Sequence, residues 1–278
     1  MFWITWRQHR AALLGTAAVT AVVGALMLWM WQGVLELNAA CSALDCWLGV
    51  AGAMGDRLRW VYALLYLGQP LLGGLVAVFW AAPLLAREYE QRTYLLAWSQ
   101  DVTPMRWLVG KVALLGAAAV MLSVALAVPS WQLVEEMKVS PGGTFGMTDY
   151  RALELWPPTQ VLYTLFGFAL GLAVGMAMRR VVLAMGATLL VFAAVRFLVA
   201  GTVLQWLPPL RLTVAGVDHE VPLPPGAYYL NAAFPGKDLL YQPIERLATF
   251  QWLEVTTYAV LTAACAAAAW ALMRRATR

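Results

Sequence analysis

Charge is what this sequence has least of. Only 12% of its 278 residues are charged, 62% are hydrophobic, and the mean hydropathy is +0.68. Soluble domains carry about 25% charged residues. The balance therefore excludes an ordinary water-soluble domain and makes the bilayer the solvent to reason with. Histidine is nearly absent, with His9 and His219 the only two. Without a His-Glu-x-x-His pair or clustered acids inside the apolar runs, no metal site and no intramembrane protease is expected. A phosphate-binding Gly-x-x-x-x-Gly-Lys-Ser/Thr loop is missing as well. Gly110-Lys111 is followed by Val112 and lacks the upstream glycine. If the protein does energetic work, the energy source lies in another chain. Three cysteines are present. Cys265, in the last apolar run, reads as a small buried hydrophobe. Cys41 and Cys46 fall in a segment read below as external, where a short-loop disulfide is permitted. Their spacing leaves a bonded pair and two unpaired thiols equally open.

Long apolar runs are what the sequence has instead. Six are long enough to cross a hydrocarbon core of roughly 30 Å at about 1.5 Å per residue: residues 11–31, 61–85, 108–128, 159–178, 181–201 and 250–273. Tryptophans cluster where these runs meet polar sequence (Trp31, Trp60, Trp80, Trp107, Trp156, Trp206, Trp252, Trp270), as an interfacial belt requires. The first run is long and is followed by no clear small-residue cleavage site, so it is read as a span and not as a cleaved signal. No internal repeat or low-complexity linker divides the chain. The expectation is one all-α integral membrane domain over residues 1–278 with six transmembrane helices.

Lys and Arg orient it. With the N-terminus inside, the cytoplasmic pieces hold eleven of them (Arg7, Arg10, Arg87, Arg92, Arg106, Lys111, Arg179, Arg180, Arg274, Arg275, Arg278). The outer pieces hold seven, spread over much longer loops, while only Glu88, Glu90 and Asp101 are acidic on the inside. Cations concentrated in short inner loops give an N-in, C-in topology. The net charge of +4 is then a topology signal and not a nucleic-acid footprint. Residues 2–10 mix aromatics with cations and suit an in-plane interfacial helix feeding the first span. An ordinary basic flank with aromatic anchors is the plainer alternative. Arg179-Arg180 pins a tight inner turn, and Pro83 marks a tolerated kink. Outside, the large loop at 202–249 separates the fifth and sixth spans.

The connector between the second and third spans stands out. A chain reversal needs only a handful of residues. Here, Arg87-Glu88-Tyr89-Glu90-Gln91-Arg92-Thr93-Tyr94 and onward to Arg106-Trp107 and Lys111 form a polar stretch carrying both signs of charge. Within a helix, Tyr94, Leu95, Trp98 and Val102 share a face, and Thr103-Pro104 ends the element. Such a segment is placed to touch something soluble. A merely solvated amphipathic loop is the plainer alternative.

Two charges lie toward the outer ends of the predicted spans. Arg196 and Glu254 are expected roughly 6–8 Å below the outer surface. A charge at that depth must pair or snorkel. They are expected to face each other or the external loop and close the outer side. Snorkelling is the competing reading.

Taken together these residues resemble the permease subunit of a type-2 ATP-binding-cassette exporter, in the version common in actinomycetes. The resemblance covers the whole topology and is sharpest in the 87–107 coupling segment. There Arg87, Glu88, Glu90, Thr93, Trp98, Gln100, Arg106, Trp107 and Lys111 match the family's pattern, while Arg92 stands where relatives carry Gly. A second match is Tyr241-Gln242-Pro243, Arg246 and Phe250-Gln251-Trp252 with Glu254, leading into the last span. The resemblance implies a non-enzymatic transport subunit of the cell membrane, paired with a second permease copy or a related permease. It implies a separate ATPase subunit that binds ATP and Mg and docks on the coupling segment. The cargo implied is amphiphilic or hydrophobic. A secondary transporter and an immunity or signalling factor are the readings from other classes.

Overall fold

The computed structural model describes residues 2–41, 46, 69–92, 104–138, 153–213, 225–231 and 238–276. Five of its helices are long and apolar enough to cross a membrane. They are α1 (Phe2–Ala40), α4 (Pro104–Lys138), α5 (Pro157–Met178), α6 (Val181–Thr202) and α7 (Leu247–Ala276). The expected second span is described only in part, because 61–68 lie outside the described residues. From Gln69 onward it is helical, as α2 (Gln69–Val76), a π-helical turn (Ala77–Ala81) and α3 (Ala82–Glu90). Pro83 explains the turn. A proline inside a helix lacks an N–H and crowds the preceding turn, and widening to π geometry relieves both.

Two boundaries differ from the sequence reading. No proline interrupts residues 2–40, so α1 runs unbroken, and neither an interfacial helix at 2–10 nor a loop at 32 is set off from it. Likewise α4 continues through Pro129 to Lys138. Ser130, next to that proline, donates its Oγ to the Leu126 carbonyl, one position beyond the Ala125 carbonyl that Pro129 leaves without its helix donor. The extra turns of α1 and α4 pair with each other, since Asn38 Nδ2 donates to the Glu136 carbonyl at 3.0 Å. Beyond α1, Cys41 and Cys46 are joined as a disulfide.

The all-α expectation also needs correction within 202–249. Three short strands, β1 (Leu210–Thr213), β2 (Tyr228–Tyr229) and β3 (Asp238–Gln242), form an antiparallel sheet in the order β1-β3-β2. The register places Leu210 opposite Tyr241 and Tyr229 opposite Tyr241 on the other edge. Aromatic and β-branched residues suit this half-buried surface. Gln242 anchors the sheet to the end of α6: its Nε2 donates to the carbonyls of Leu204 (3.1 Å) and Leu207 (2.9 Å). Its Oε1 accepts from Arg246 Nη1 at 2.8 Å. This gives the Gln242–Arg246 part of the second family match a structural job.

Helix α5 sits at the centre and is the most buried of the five, apolar on every side. Along one flank it carries Gly167, Gly171 and Gly175, one per turn. A Cβ at these positions would lie 2.3 Å from the Gly73 carbonyl oxygen, 2.6 Å from that of Ala77 and 2.5 Å from that of Ala82. The backbone of the second span therefore rests directly on the backbone of α5, the packing that small residues permit between membrane helices. On other flanks Ser123 of α4 meets Thr164 (3.1 Å), and Tyr163 and Phe166 meet Tyr258 of α7.

These contacts fix direction. The second span, α5 and α7 run parallel to one another, with Ala77 beside Gly171 and Tyr163 beside Tyr258. Helices α4 and α6 run oppositely, as the Gly116–Phe168 and Phe166–Phe192 contacts require. Helix α1 follows α4 in parallel, with Met27 against Ser130 and Asn38 against Glu136. One end of the bundle thus gathers the end of α3, the starts of α4 and α6 and the ends of α5 and α7.

Candidate functional site

That end carries the connector. Helix α3 stops at Glu90, with Gln91 as its cap and the Arg92 N–H donating to the Tyr89 carbonyl at 3.3 Å. This is half of a Schellman closure, which needs a left-handed residue next. Arg92 supplies it at φ 57°. Left-handed backbone costs a residue with a side chain about 1–2 kcal/mol and costs glycine almost nothing. The Arg92 position is therefore a glycine position in its backbone, occupied by an exposed arginine. Thr93, Trp98 and Gln100, together with the face formed by Tyr94, Leu95, Trp98 and Val102, lie outside the described residues.

The acidic pair of the connector is engaged within the chain. Glu88 forms an ion pair with Lys111 of α4, and both side chains are largely buried. The Lys111 ammonium also lies 4.4 Å from the centroid of the Trp107 ring. Glu90 turns the other way, and its Oε2 accepts from the Val181 N–H at 2.9 Å. Val181 is the first residue of α6, so this carboxylate satisfies a free helix N–H and sits at the positive end of the helix dipole. Between them Tyr89 has the Arg179 guanidinium 5.1 Å from its ring centroid. Its hydroxyl reaches the Met273 Sδ of α7 at 3.9 Å. Arg179 is itself left-handed (φ 54°), which lets Arg179-Arg180 turn α5 into α6 in two residues. Below, Ala82, Ala86 and Ala184 pack α3 against α6 with no exposed surface. Arg106 begins α4 as an exposed residue, and Arg87 is exposed on α3. Residues 106, 107 and 111, expected to couple, thus belong to the long α4 helix, because the helix begins at Pro104, where a missing N–H does no harm.

The opposite end holds the two intramembrane charges, and the structure brings them together. Arg196 Nη1 lies 3.6 Å from Glu254 Oε1. Counted from the observed helix ends at Thr202 and Leu247, they lie roughly 9 and 11 Å inside, slightly deeper than the sequence implied. Arg196 is shared, since its Nη2 also lies 3.5 Å from Glu154 Oε2. Its guanidinium carbon sits 3.6 Å from the Tyr163 ring centroid, and Nη1 donates to the Tyr258 hydroxyl at 3.4 Å. Tyr163 in turn donates its hydroxyl to Glu254 Oε1. Glu254 is 1% exposed, and its Oε2 has no hydrogen-bond partner among the described residues. Four segments converge here: the turn carrying Glu154, α5, α6 and α7. Gln160 holds that turn in place by donating Nε2 to the Glu154 carbonyl at 2.6 Å. Sequence reasoning missed Glu154, Tyr163 and Tyr258. Glu154 stands in a loop by composition, and the tyrosines look like core aromatics.

A bundle of long apolar helices with the connector at one end and a buried charge cluster at the other has a sequence-level counterpart. Residues 10–204 match the family described as ABC-2 membrane transporter related. The chain belongs to that family. No curated protein and no solved structure matches it. As an ABC-2 permease it is a membrane transport subunit, and the family implies an ATPase partner. The matched stretch contains the connector, the glycine flank of α5 and Arg196. The sheet and α7, with Glu254, lie beyond it.

Proposed function

We propose that this ABC-2 permease exports an amphiphilic or hydrophobic compound across the cell membrane, driven by ATP that a separate subunit binds with Mg and hydrolyses. Six crossings with both termini inside place the connector at 87–107 in the cytoplasm. Two permease copies, or this chain with a related one, flank the substrate path. The ATPase docks on the connector, and its closure on ATP tilts the connector and opens the path outward. The Arg196–Glu254 pair then acts as the external closure, broken when the outer side opens.

The observation that carries this reading is the family match across the connector. The geometry supports it, because Glu88, Tyr89 and Glu90 tie the end of α3 to α4, α6 and α7 at once. A push on that stub is shared by the bundle and is not lost in a loose loop. The test is to isolate the tagged permease from its native membrane. A subunit with Mg-dependent ATPase activity should accompany it and be lost on deleting 93–100. Inside-out vesicles should then accumulate a fluorescent amphiphile only with ATP. Recovery of the permease with no nucleotide-hydrolysing subunit would sink the reading.

A further inference from the structure

The connector's charge is asymmetric in space in a way its sequence conceals. Along the chain it alternates sign, yet Glu88 points inward to Lys111 and Glu90 is bound at the start of α6. Among the described residues the charge facing outward at this end is mostly cationic: Arg7, Arg10, Arg87, Arg92, Arg106, Arg179, Arg180, Arg274 and Arg275 are exposed, with Glu90 an exposed carboxylate among them. Arg92 is the most telling of these. Its side chain has no interaction among the described residues, and its backbone adopts the left-handed conformation that favours glycine. The arginine is exposed there at a backbone cost that glycine would not carry.

We propose that the ATPase subunit receives the connector in an acidic groove, with Asp or Glu carboxylates paired to Arg92 and flanked by Arg87 and Arg180. This rests on the exporter reading above and assigns the chemistry of its docking surface. Guanidinium groups suit the task because each offers a planar pair of donors to one carboxylate and remains charged at any working pH. The geometry favours a protein groove over a lipid surface. Arg87 and Arg92 belong to the segment that leaves the bundle, and Arg179 and Arg180 to the turn beside it. Exposed Glu90 stands among them, a carboxylate that an anionic lipid surface would repel.

The test uses the native complex and separates folding from docking. Arg92→Gly removes the side chain and relieves the backbone. The permease alone should show a higher thermal midpoint, while ATPase retention on the tagged complex should fall roughly tenfold. Arg92→Lys should retain more ATPase than Arg92→Gly, and the double reversal Arg87→Glu with Arg180→Glu should retain almost none. Raising NaCl from about 50 to about 300 mM should weaken retention by wild type, and by a smaller factor that of Arg92→Gly, which keeps Arg87 and Arg180. Undiminished ATPase retention on Arg92→Gly, at either salt level, would overturn the acidic groove and leave the exporter reading standing. The groove is also overturned if the reversals abolish association with anionic-lipid vesicles but spare the ATPase. If wild type carries no ATPase at all, the exporter reading falls and takes the groove with it.

Discussion

Replacing Gly171 with alanine tests the central contact of the fold. The added Cβ would lie 2.6 Å from the Ala77 carbonyl oxygen, 2.7 Å from the Ala81 Cβ and 2.9 Å from the Ala82 nitrogen. None of these atoms can rotate aside. Reaching an ordinary contact of about 3.4 Å requires the two helices to part by about 0.8 Å. Because both are stiff, the same separation opens the contacts at Gly167 and Gly175. Overpacking of this kind costs about 1–3 kcal/mol, and the better helix propensity of alanine returns at most about 1 kcal/mol. The apparent thermal midpoint of the purified permease, followed by tryptophan fluorescence, should fall by roughly 2–8 °C. Gly186 provides the control. It also lies in a helix, but a Cβ there meets nothing within 4 Å. Gly186→Ala should raise the midpoint by roughly 2–3 °C. Opposite signs are the point of the pair. If both substitutions raise the midpoint, the backbones are not in contact and the description of α5 is wrong.

Three other outcomes follow. Arg196→Ala leaves Glu154 and Glu254 facing each other in a buried site and should destabilise by about 3–5 kcal/mol. Combined with Glu254→Ala it should show a coupling of at least about 1 kcal/mol by thermal denaturation. Additive effects, with export spared in each single mutant, would remove the external closure. Glu88→Gln should destabilise by about 2–4 kcal/mol, because Lys111 is only 4% exposed and loses its carboxylate. The Glu88→Gln, Lys111→Met double mutant should recover most of that loss, and no recovery would contradict the pairing. Glu90→Gln weakens the charge at the start of α6 and should cost about 0.5–1 kcal/mol. Faster amide hydrogen exchange should be confined to the first turn of α6, and uniform exchange along α6 would count against the cap.

The sequence made five of the six expected spans legible because length and hydropathy are one-dimensional signals. Lys and Arg density did the same for the expected inner connector. Its limits lie where two distant segments decide the outcome. Glu88 and Glu90 looked like outward docking acids, since nothing in the local sequence says that Lys111 and the Val181 N–H will claim them. Arg92 was flagged as an oddity at a glycine position, and the left-handed turn is the physical content of that oddity. Arg196 and Glu254 were findable because charge at depth is rare. Glu154 was not, because its segment enters the bilayer edge only through Gln160 and the start of α5. The glycine flank of α5 was legible in principle as small residues four apart. Its partner row in the second span, Gly73, Ala77 and Ala81, has the same spacing, and the π-helical turn moves the last contact on to Ala82.

Helix α6 joins the two ends of the molecule with one uninterrupted piece. Glu90 holds it at Val181, and fifteen positions later Arg196 meets the two carboxylates, roughly 22 Å away. A rigid rod of that length is a lever. Pivoting by about 5° at the pinned end swings the far end through roughly 2 Å. The guanidinium starts only 3.5–3.6 Å from its partners, so that swing carries it out of ion-pairing range. A displacement smaller than one turn of helix, made where the connector is tied down, is enough to part Arg196 from both carboxylates.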